Sequence, residues 1–378
     1  RKLSMIGELD AIGVHRIPYR ELEFKRQIGR GAFGVVFLAS WRNSPVAIKR
    51  MHQQHLTSHS LREFLSEAKM MERVGNHPRV VRFLGVCATP GQPLCIATEY
   101  LPGGAVDRLL YSGRDLSFSL RMQWAMDAAT GVLHLHAERI IHRDIAARNL
   151  LVDKNMRAKV SDFGMSRMRS SMYSKSSSAA ADTTKSSVGP VCWMAPEAIV
   201  HQHYSEKSDA YSFGVMLWEL LTRKRPYKEY TNLQVVLRAG ILLRQFEGGE
   251  NNSNDVADAA TAAGDDSLPK NTGVASSSSS GNTNAASIVQ DLSQSAPKDT
   301  PGSLKALLSA CLSIDCKTRP SFKRIISRLG ALGEGKDKEL FFQHLQYHRP
   351  GQNVDDGGQM RLQQSRKDGG GGGGELEN

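Results

Sequence analysis

The sequence predicts an α+β fold of two lobes, a small β-rich one followed by a larger helical one, and three observations carry this. Residues 22–101 hold four short runs rich in β-branched and aromatic residues; from Gly103 onward apolar positions recur with helical spacing; and 378 residues with 40% apolar content can bury a substantial core. A run of strands followed by a run of helices, without strict alternation, is the α+β pattern.

In the first lobe the runs are "LEFKRQIG" from Leu22, "GVVFLAS" from Gly34, "PVAIKRM" from Pro45 and "PLCIATEY" from Pro93, each bounded by Gly, Pro or Asn. Between the third and fourth, "SLREFLSEAKMMERVG" predicts a helix. Ser60 and Glu63 form a capping box, Leu61, Phe64, Leu65, Ala68, Met71 and Val74 line one face, and Gly75 stops it. In the second lobe the main helices are "SLRMQWAMDAATGVLHLHAE", "SDAYSFGVMLWELLTRK" and "SLKALLSACLSI". Residues 1–21 read as an N-terminal extension. Residues from about 247 to 300 are Asn, Ser, Ala, Gly and Asp with few large apolar side chains, and are expected to form a disordered insert. Residues 330–378 form a low-complexity tail ending in "DGGGGGGELEN", with one short helix expected at "KELFFQHLQ". No internal repeat is visible.

Composition narrows the classes. The net charge of +11 is scattered through the chain apart from "TRKRPYKEY" at 222–230, which reads as a solvated basic loop, and no aromatic–basic interleaving points to nucleic acid. Five cysteines without a C-x-x-C pair offer neither a disulfide framework nor zinc spacing, so a reducing, cytoplasmic setting is expected. The longest apolar run, "YSFGVMLWELL", is too short to span a bilayer. The chain starts at Arg1, not Met, and reads as a fragment.

Chemistry enters with "IGRGAFGVV" from Ile28. Gly29, Gly31 and Gly34 have the G-x-G-x-x-G spacing that lets backbone amides approach phosphates. A dinucleotide site needs a helix next and an acidic residue about 20 positions on. Here a strand follows, and Lys49 of "VAIK" stands at that distance, which favours a glycine loop covering nucleotide phosphates. A lone strand lysine ordinarily snorkels to water. Glu67, on the apolar stripe of the expected helix, is instead placed to pair with Lys49 and to aim its amine at phosphates. In "IHRDIAARNLLV", Asp144 can accept a hydroxyl proton and Asn149 can give a neutral oxygen to Mg²⁺; in "SDFG", Asp162 offers a second hard ligand and Gly164 a turn. This order of groups is what phosphoryl transfer from Mg-ATP needs: positioning and charge neutralisation.

From these motifs the chain is identified as resembling the eukaryotic protein kinase family, over residues 22–329 apart from the insert. The resemblance implies a bilobal kinase fold, with an N-lobe of about 22–101 and a C-lobe of about 102–329, acting on ATP, Mg²⁺ and a protein substrate. It implies Asp144 as catalytic base, Asn149 and Asp162 as metal ligands, and Lys49 with Glu67 as the phosphate anchor. Adenine is expected against the hinge "TEYLPGG", which contains Glu99 and Leu101, between Val36 and Ala47 above and Leu151 below, with Thr98 as gatekeeper. Met71, Phe83, His142 and Phe163 resemble a stacked spine. Asp209, and Glu197 of "APE" paired with Arg319, resemble structural anchors. Because every polar catalytic position is filled, a pseudokinase scaffold is the lesser alternative.

The acceptor hydroxyl is less sharply marked. Serine/threonine kinases usually carry Lys two residues after the catalytic Asp; here stands Ala146, and Arg148 occupies the position of an arginine found in many tyrosine kinases. Pro190 of "PVCWMAPE" also resembles the tyrosine-kinase form, whereas Gly189 resembles the tyrosine-kinase-like group, whose members mostly phosphorylate Ser and Thr. The expectation is a tyrosine-kinase-like enzyme of tyrosine or dual specificity, with a serine/threonine enzyme of that group as the alternative. Cys192 replaces a basic residue common in tyrosine kinases and reads as an inert thiol. The segment from Asp162 to Glu197 is crowded with hydroxyls. Phosphorylation at Tyr173, Thr183 or Thr184, answered by Arg143, is the expected switch in signal transduction. The oligomeric state is not legible.

Overall fold

The computed structural model describes residues 13–31, 34–51, 58–162, 167–168, 190–248, 292 and 295–332. All four expected runs of the first lobe form strands of one antiparallel sheet: β1 (Leu22–Gly31), β2 (Gly34–Trp41), β3 (Ser44–Met51) and β5 (Cys95–Glu99). A fifth strand, β4 (Phe83–Cys87), escapes the sequence reading and completes the order β1-β2-β3-β5-β4. Its pattern is broken by Gly85, at a register shift with φ +145°, where a Cβ would stand 2.4 Å from the His15 carbonyl oxygen.

That close approach arises because the expected N-terminal extension packs on the sheet. Ile17 N donates to Val86 O at 2.8 Å, Val86 N donates to His15 O at 2.9 Å, and Val14 and Ile17 are buried. The packed lobe therefore starts ahead of Leu22. Strand alternation splits the sheet into two faces. Ala39, Val46, Ile48, Cys95 and Ala97 bury with Ile17 and Leu22 on one side. On the other, Lys49 stands opposite Val36, and Ala47 opposite Thr98.

Helix α1 (Ser58–Val74) begins two residues before the cap expected at Ser60, buries Phe64, Leu65, Ala68, Met71 and Val74, and ends at Gly75 with φ +66°. The second lobe contains α2 (Val106–Leu110), α3 (Phe118–Ala137), α4 (Pro196–Val200), α5 (Glu206–Thr222), α6 (Asn232–Glu247), α7 (Gly302–Cys311) and α8 (Phe322–Ala331). The long helices α3, α5 and α7 are those the sequence predicts, whereas α6 and α8 are additions. For α8 the signal was present, since Phe322, Ile325 and Leu329 recur at helical spacing and are buried. For α6 it was blurred, because Leu233, Leu237 and Ile241 are exposed beside buried Val235, Ala239 and Leu242. Helix α5 is buried on nearly every side, the position of a central core helix. It is started by Ser205, whose hydroxyl accepts from the Lys207 and Ser208 amides.

The insert expected over 247–300 is shorter at both ends. Glu247 closes α6, while Ser295 to Thr300 belong to the helical lobe: Ala296 and Thr300 are buried, and Trp218 Nε1 donates to Ser295 Oγ at 2.9 Å. The remainder of the insert and residues 333–378, with the helix expected at "KELFFQHLQ", lie outside the described residues. No described helix is long and apolar enough to cross a membrane. All five cysteines are free.

Candidate active site

The sheet forms one wall of a cleft, and its other wall is the small sheet β6 (Gly104–Ala105), β8 (Leu150–Val152) and β9 (Ala158–Val160), with a 3₁₀ turn at Ala147–Asn149 leading into β8, while β7 (Ile140–Ile141) pairs separately with Arg167–Met168. On the upper wall Gly34 is obligatory, since a Cβ there would lie 2.3 Å from the Arg50 carbonyl oxygen and force β2 from β3. Gly29 lies opposite Val36, while a Cβ on Gly31 would meet no atom of the described residues within 4 Å. Ile28, Val36 and Ala47 are half-buried, as is Leu151 on the lower wall.

Lys49 Nζ lies 2.7 Å from Glu67 Oε1. Burial alone would lower the Lys49 pKa, but the Glu67 and Asp162 carboxylates and the Glu67 hydrogen bond outweigh it, and the net shift is upward. The amine is thus held charged within reach of Asp162. At the hinge Thr98 is half-buried and Leu101 buried. The Glu99 carboxylate accepts Lys159 Nζ at 2.7 and 2.8 Å and the Arg82 amide at 2.7 Å, so its side chain ties β5 to β9.

The lower wall presents the acidic groups. Asp144 accepts from Arg148 Nη2 on one oxygen and from Asn149 Nδ2, at 2.8 Å, on the other. Asn149 Nδ2 also donates to the Asp144 carbonyl at 2.7 Å, which leaves its Oδ1 as the outward end of the amide. Ser161 N and Oγ both donate to the Asn149 carbonyl at 2.9 Å, placing exposed Asp162, with φ +61°, beside it. One neutral oxygen and one carboxylate fit Mg²⁺, which takes few protein ligands and completes its shell with phosphate and water. Among the described residues no group of three or more His, Cys, Asp or Glu could hold a metal unaided. Phe163 and Gly164 lie outside the described residues.

Behind this loop, fully buried Asp209 accepts the His142 and Arg143 amides, each at 2.9 Å, and lies 2.8 Å from His136 Nε2. That helps explain how Arg143 holds φ +70°. His142 is buried, its Nε2 3.0 Å from the Ser161 carbonyl, and Met71 is also buried while Phe83 is partly so. The Arg143 guanidinium stacks 4.3 Å over Tyr204. Tyr173, Thr183 and Thr184, the expected phosphorylation sites, fall outside the described residues. Glu197 and Arg319, 122 residues apart, form a buried bidentate pair at 2.6 and 2.9 Å.

One hub was not read from the sequence. Glu219 on α5 is buried and accepts Tyr111 Oη at 2.6 Å, Trp193 Nε1 at 2.6 Å and the Ala147 amide at 3.2 Å. Trp193 in turn carries the Arg148 guanidinium 4.2 Å above its ring, so Glu219 links the Asp144 loop to the segment before α4. A lone carboxylate within "YSFGVMLWELL" was the available signal, because such a group needs partners. Burial pushes Glu219 up to about 7 against the lowering effect of its hydrogen bonds. The folded value exceeds the unfolded one, so this group's stabilisation is complete below about 4.5 and is lost as pH rises through about 7. Urea denaturation of wild type and Glu219→Gln at about pH 5 and pH 8 tests this: wild type should lose about 2 kcal/mol more than the variant across that range. Parallel losses in the two proteins would refute it.

Comparison with known proteins follows the same outline. A family profile described as "Protein tyrosine and serine/threonine kinase" matches residues 22–256. The chain is 40% identical over 246 residues to "Serine/threonine-protein kinase CTR1" of Arabidopsis thaliana, covering 64% of this chain and 29% of that protein. It is 37% identical over 227 residues to "Probable serine/threonine-protein kinase drkA" of Dictyostelium discoideum, covering 59% and 34%. A third relative, "Dual specificity protein kinase shkC" of the same organism, is 38% identical over 227 residues, covering 59% and 43%. The chain thus spans less than half the length of these relatives.

Proposed function

This chain belongs to the protein tyrosine and serine/threonine kinase family, and from that premise we propose that it transfers the γ-phosphate of ATP to a serine or threonine hydroxyl of a protein. The observation that carries the reading is the arrangement of Lys49, paired with Glu67, on one wall and of Asp144, Asn149 and Ser161, joined by hydrogen bonds next to Asp162, on the other.

In this reading Lys49, oriented by Glu67, holds the α- and β-phosphates, and the glycine loop covers them. Asn149 and Asp162 would hold Mg²⁺, which when bound would supply positive charge to offset that of the phosphates. Asp144 takes the acceptor proton as the hydroxyl oxygen bonds to the γ-phosphorus and the bond to the β-phosphate oxygen breaks, leaving ADP. Arg148, held between Asp144 and the Trp193 ring, keeps the carboxylate turned toward the acceptor.

The acceptor assignment is supported by Gly189 and by the serine/threonine names of two of the relatives. Tyrosine or dual specificity is the second reading, favoured by Ala146 in place of lysine and by the Arg148–Asp144 contact. Incubation with Mg-ATP and peptide libraries differing only in acceptor, followed by phosphoamino-acid analysis, separates them. Phosphoserine and phosphothreonine should dominate. Phosphotyrosine alone would overturn the assignment in favour of the second reading, and no transfer to any library would overturn the kinase reading itself.

A further inference from the structure

We infer that Cys87 and Cys95 form a redox-sensitive modification site, a cross-strand pair of thiols that a peroxide converts into a disulfide. Strand register brings them together, since Cys87 of β4 stands directly opposite Cys95 of β5. Their backbone geometry follows from what their neighbours do. Val86 turns its N–H and C=O away from β5, to His15 and Ile17, and the Leu94 carbonyl accepts the Met51 amide on the other edge of β5. By alternation Cys87 and Cys95 turn their backbone groups toward each other, a hydrogen-bonded pair with Cα atoms about 5.5 Å apart. A disulfide spans roughly 4.4–6.8 Å between Cα atoms, so the bond can close on the strands as they stand. Both side chains enter the same face of the sheet, the one that Ile17 and Leu22 cover. That face is turned away from Lys49, and the inference is independent of the kinase reading.

The two sulfurs are not equivalent. A hydrogen bond from the Cys95 thiol, with further bonds from Thr89, lowers the Cys87 pKa against the opposing effect of burial. Cys95, the donor of that bond and itself desolvated, is raised. By contrast, burial raises Cys192 and Cys311. Cys87 is therefore the sulfur that attacks. Its thiolate bonds to one peroxide oxygen and the O–O bond breaks, giving a sulfenic acid and a hydroxide that takes up the Cys87 proton as water. The Cys95 sulfur then bonds to the Cys87 sulfur and displaces the hydroxyl, which leaves as water with the Cys95 proton. Two thiols and one peroxide thus give one disulfide and two waters, the sulfurs being oxidised and the peroxide reduced. Both cysteines are buried, and the segment ahead of β1 covers them. Ile17 packs in their cluster, and Tyr19 N donates at 3.2 Å to Thr89 Oγ1, which lies 3.7 Å from Cys87 Sγ. Peroxide reaches Cys87 when that segment lifts.

The test treats the whole chain, reduced and then freed of reductant, with millimolar hydrogen peroxide, followed by denaturation in an alkylating agent and digestion with trypsin. Residues 83–108 form one tryptic peptide that holds both cysteines. In wild type this peptide should escape alkylation at both, weigh two hydrogens less than the dithiol, and regain both thiols with dithiothreitol. In Cys95→Ser the serine still donates to the Cys87 sulfur but cannot displace its hydroxyl, so the reaction should stop at a sulfenic acid that dimedone traps. Ile17→Ala, which loosens the cover, should speed disulfide formation roughly tenfold. The inference is overturned if both cysteines stay open to alkylation in wild type at a dose that oxidises free cysteine. It is equally overturned if they are found linked to Cys192, Cys311 or Cys316, or if Cys87 stays unreacted in Cys95→Ser. A rate in Ile17→Ala no faster than wild type would overturn the lifting step.

Discussion

Asp144→Asn should lower kcat for peptide phosphorylation by roughly 10²–10⁴-fold while leaving the KM for ATP little changed. The reason is local. Both Asp144 oxygens are already oriented, one by Arg148 and one by Asn149. An asparagine of the same shape keeps the volume but offers no carboxylate to take the proton. It also turns one amide donor toward either Arg148 or Asn149 Nδ2, both donors themselves, so positioning suffers as well. The loss should therefore fall on the chemical step, and ATP affinity, which the proposed function assigns to Lys49 and the glycine loop, should persist. Steady-state kinetics with varied ATP and peptide measure both. A variant whose kcat falls less than about threefold would remove Asp144 from the role of base.

Glu197→Ala should cost about 3–5 kcal/mol of folding stability, a large share of the roughly 5–15 kcal/mol available to a folded domain. Arg319 is buried and its guanidinium nitrogens make five hydrogen bonds, two of them to Glu197. Deleting the carboxylate strands a charge where water does not reach, and the Tyr211 ring 5.0 Å from the guanidinium cannot replace it. The double variant Glu197→Ala, Arg319→Met should recover part of the loss, because the cost lies in the uncompensated charge and not in the absence of an attractive pair. Denaturant unfolding gives both values. If Glu197→Ala cost less than about 1 kcal/mol, or the double variant were less stable than the single, the pair would not be the anchor assigned to it. The kcat per folded molecule should be unaffected, which separates this variant from Asp144→Asn.

The cleft was legible to very different degrees. Gly34, Lys49, Asp144, Asn149 and Asp162 could be picked out in sequence because each sits in a short motif whose spacing itself states a chemical need: a bare backbone, a strand lysine, a carboxylate near an amide. Where the structure departs from the reading, interactions across the fold are responsible. Nothing in the hinge motif indicates that the Glu99 carboxylate meets Lys159, 60 residues away. The N-terminal extension looks detached until Val86 is found to exchange hydrogen bonds with His15 and Ile17. Strand β4 is hidden by the glycine that this close contact requires.

What the sequence determined by itself was therefore the order of lobes, the long helices α1, α3, α5 and α7, and the short motifs on which the proposed function rests. These depend on periodicity and on motifs spanning a few residues, where covalent geometry links position to direction. Only the tertiary structure decided that Glu219 joins Tyr111, Trp193 and Ala147, that Arg148 lies on Trp193, and that Arg319 reaches Glu197. Those facts join residues on separate elements, some more than 100 positions apart. A buried charge declares that it needs a partner, but which partner it meets is set by how the helices pack.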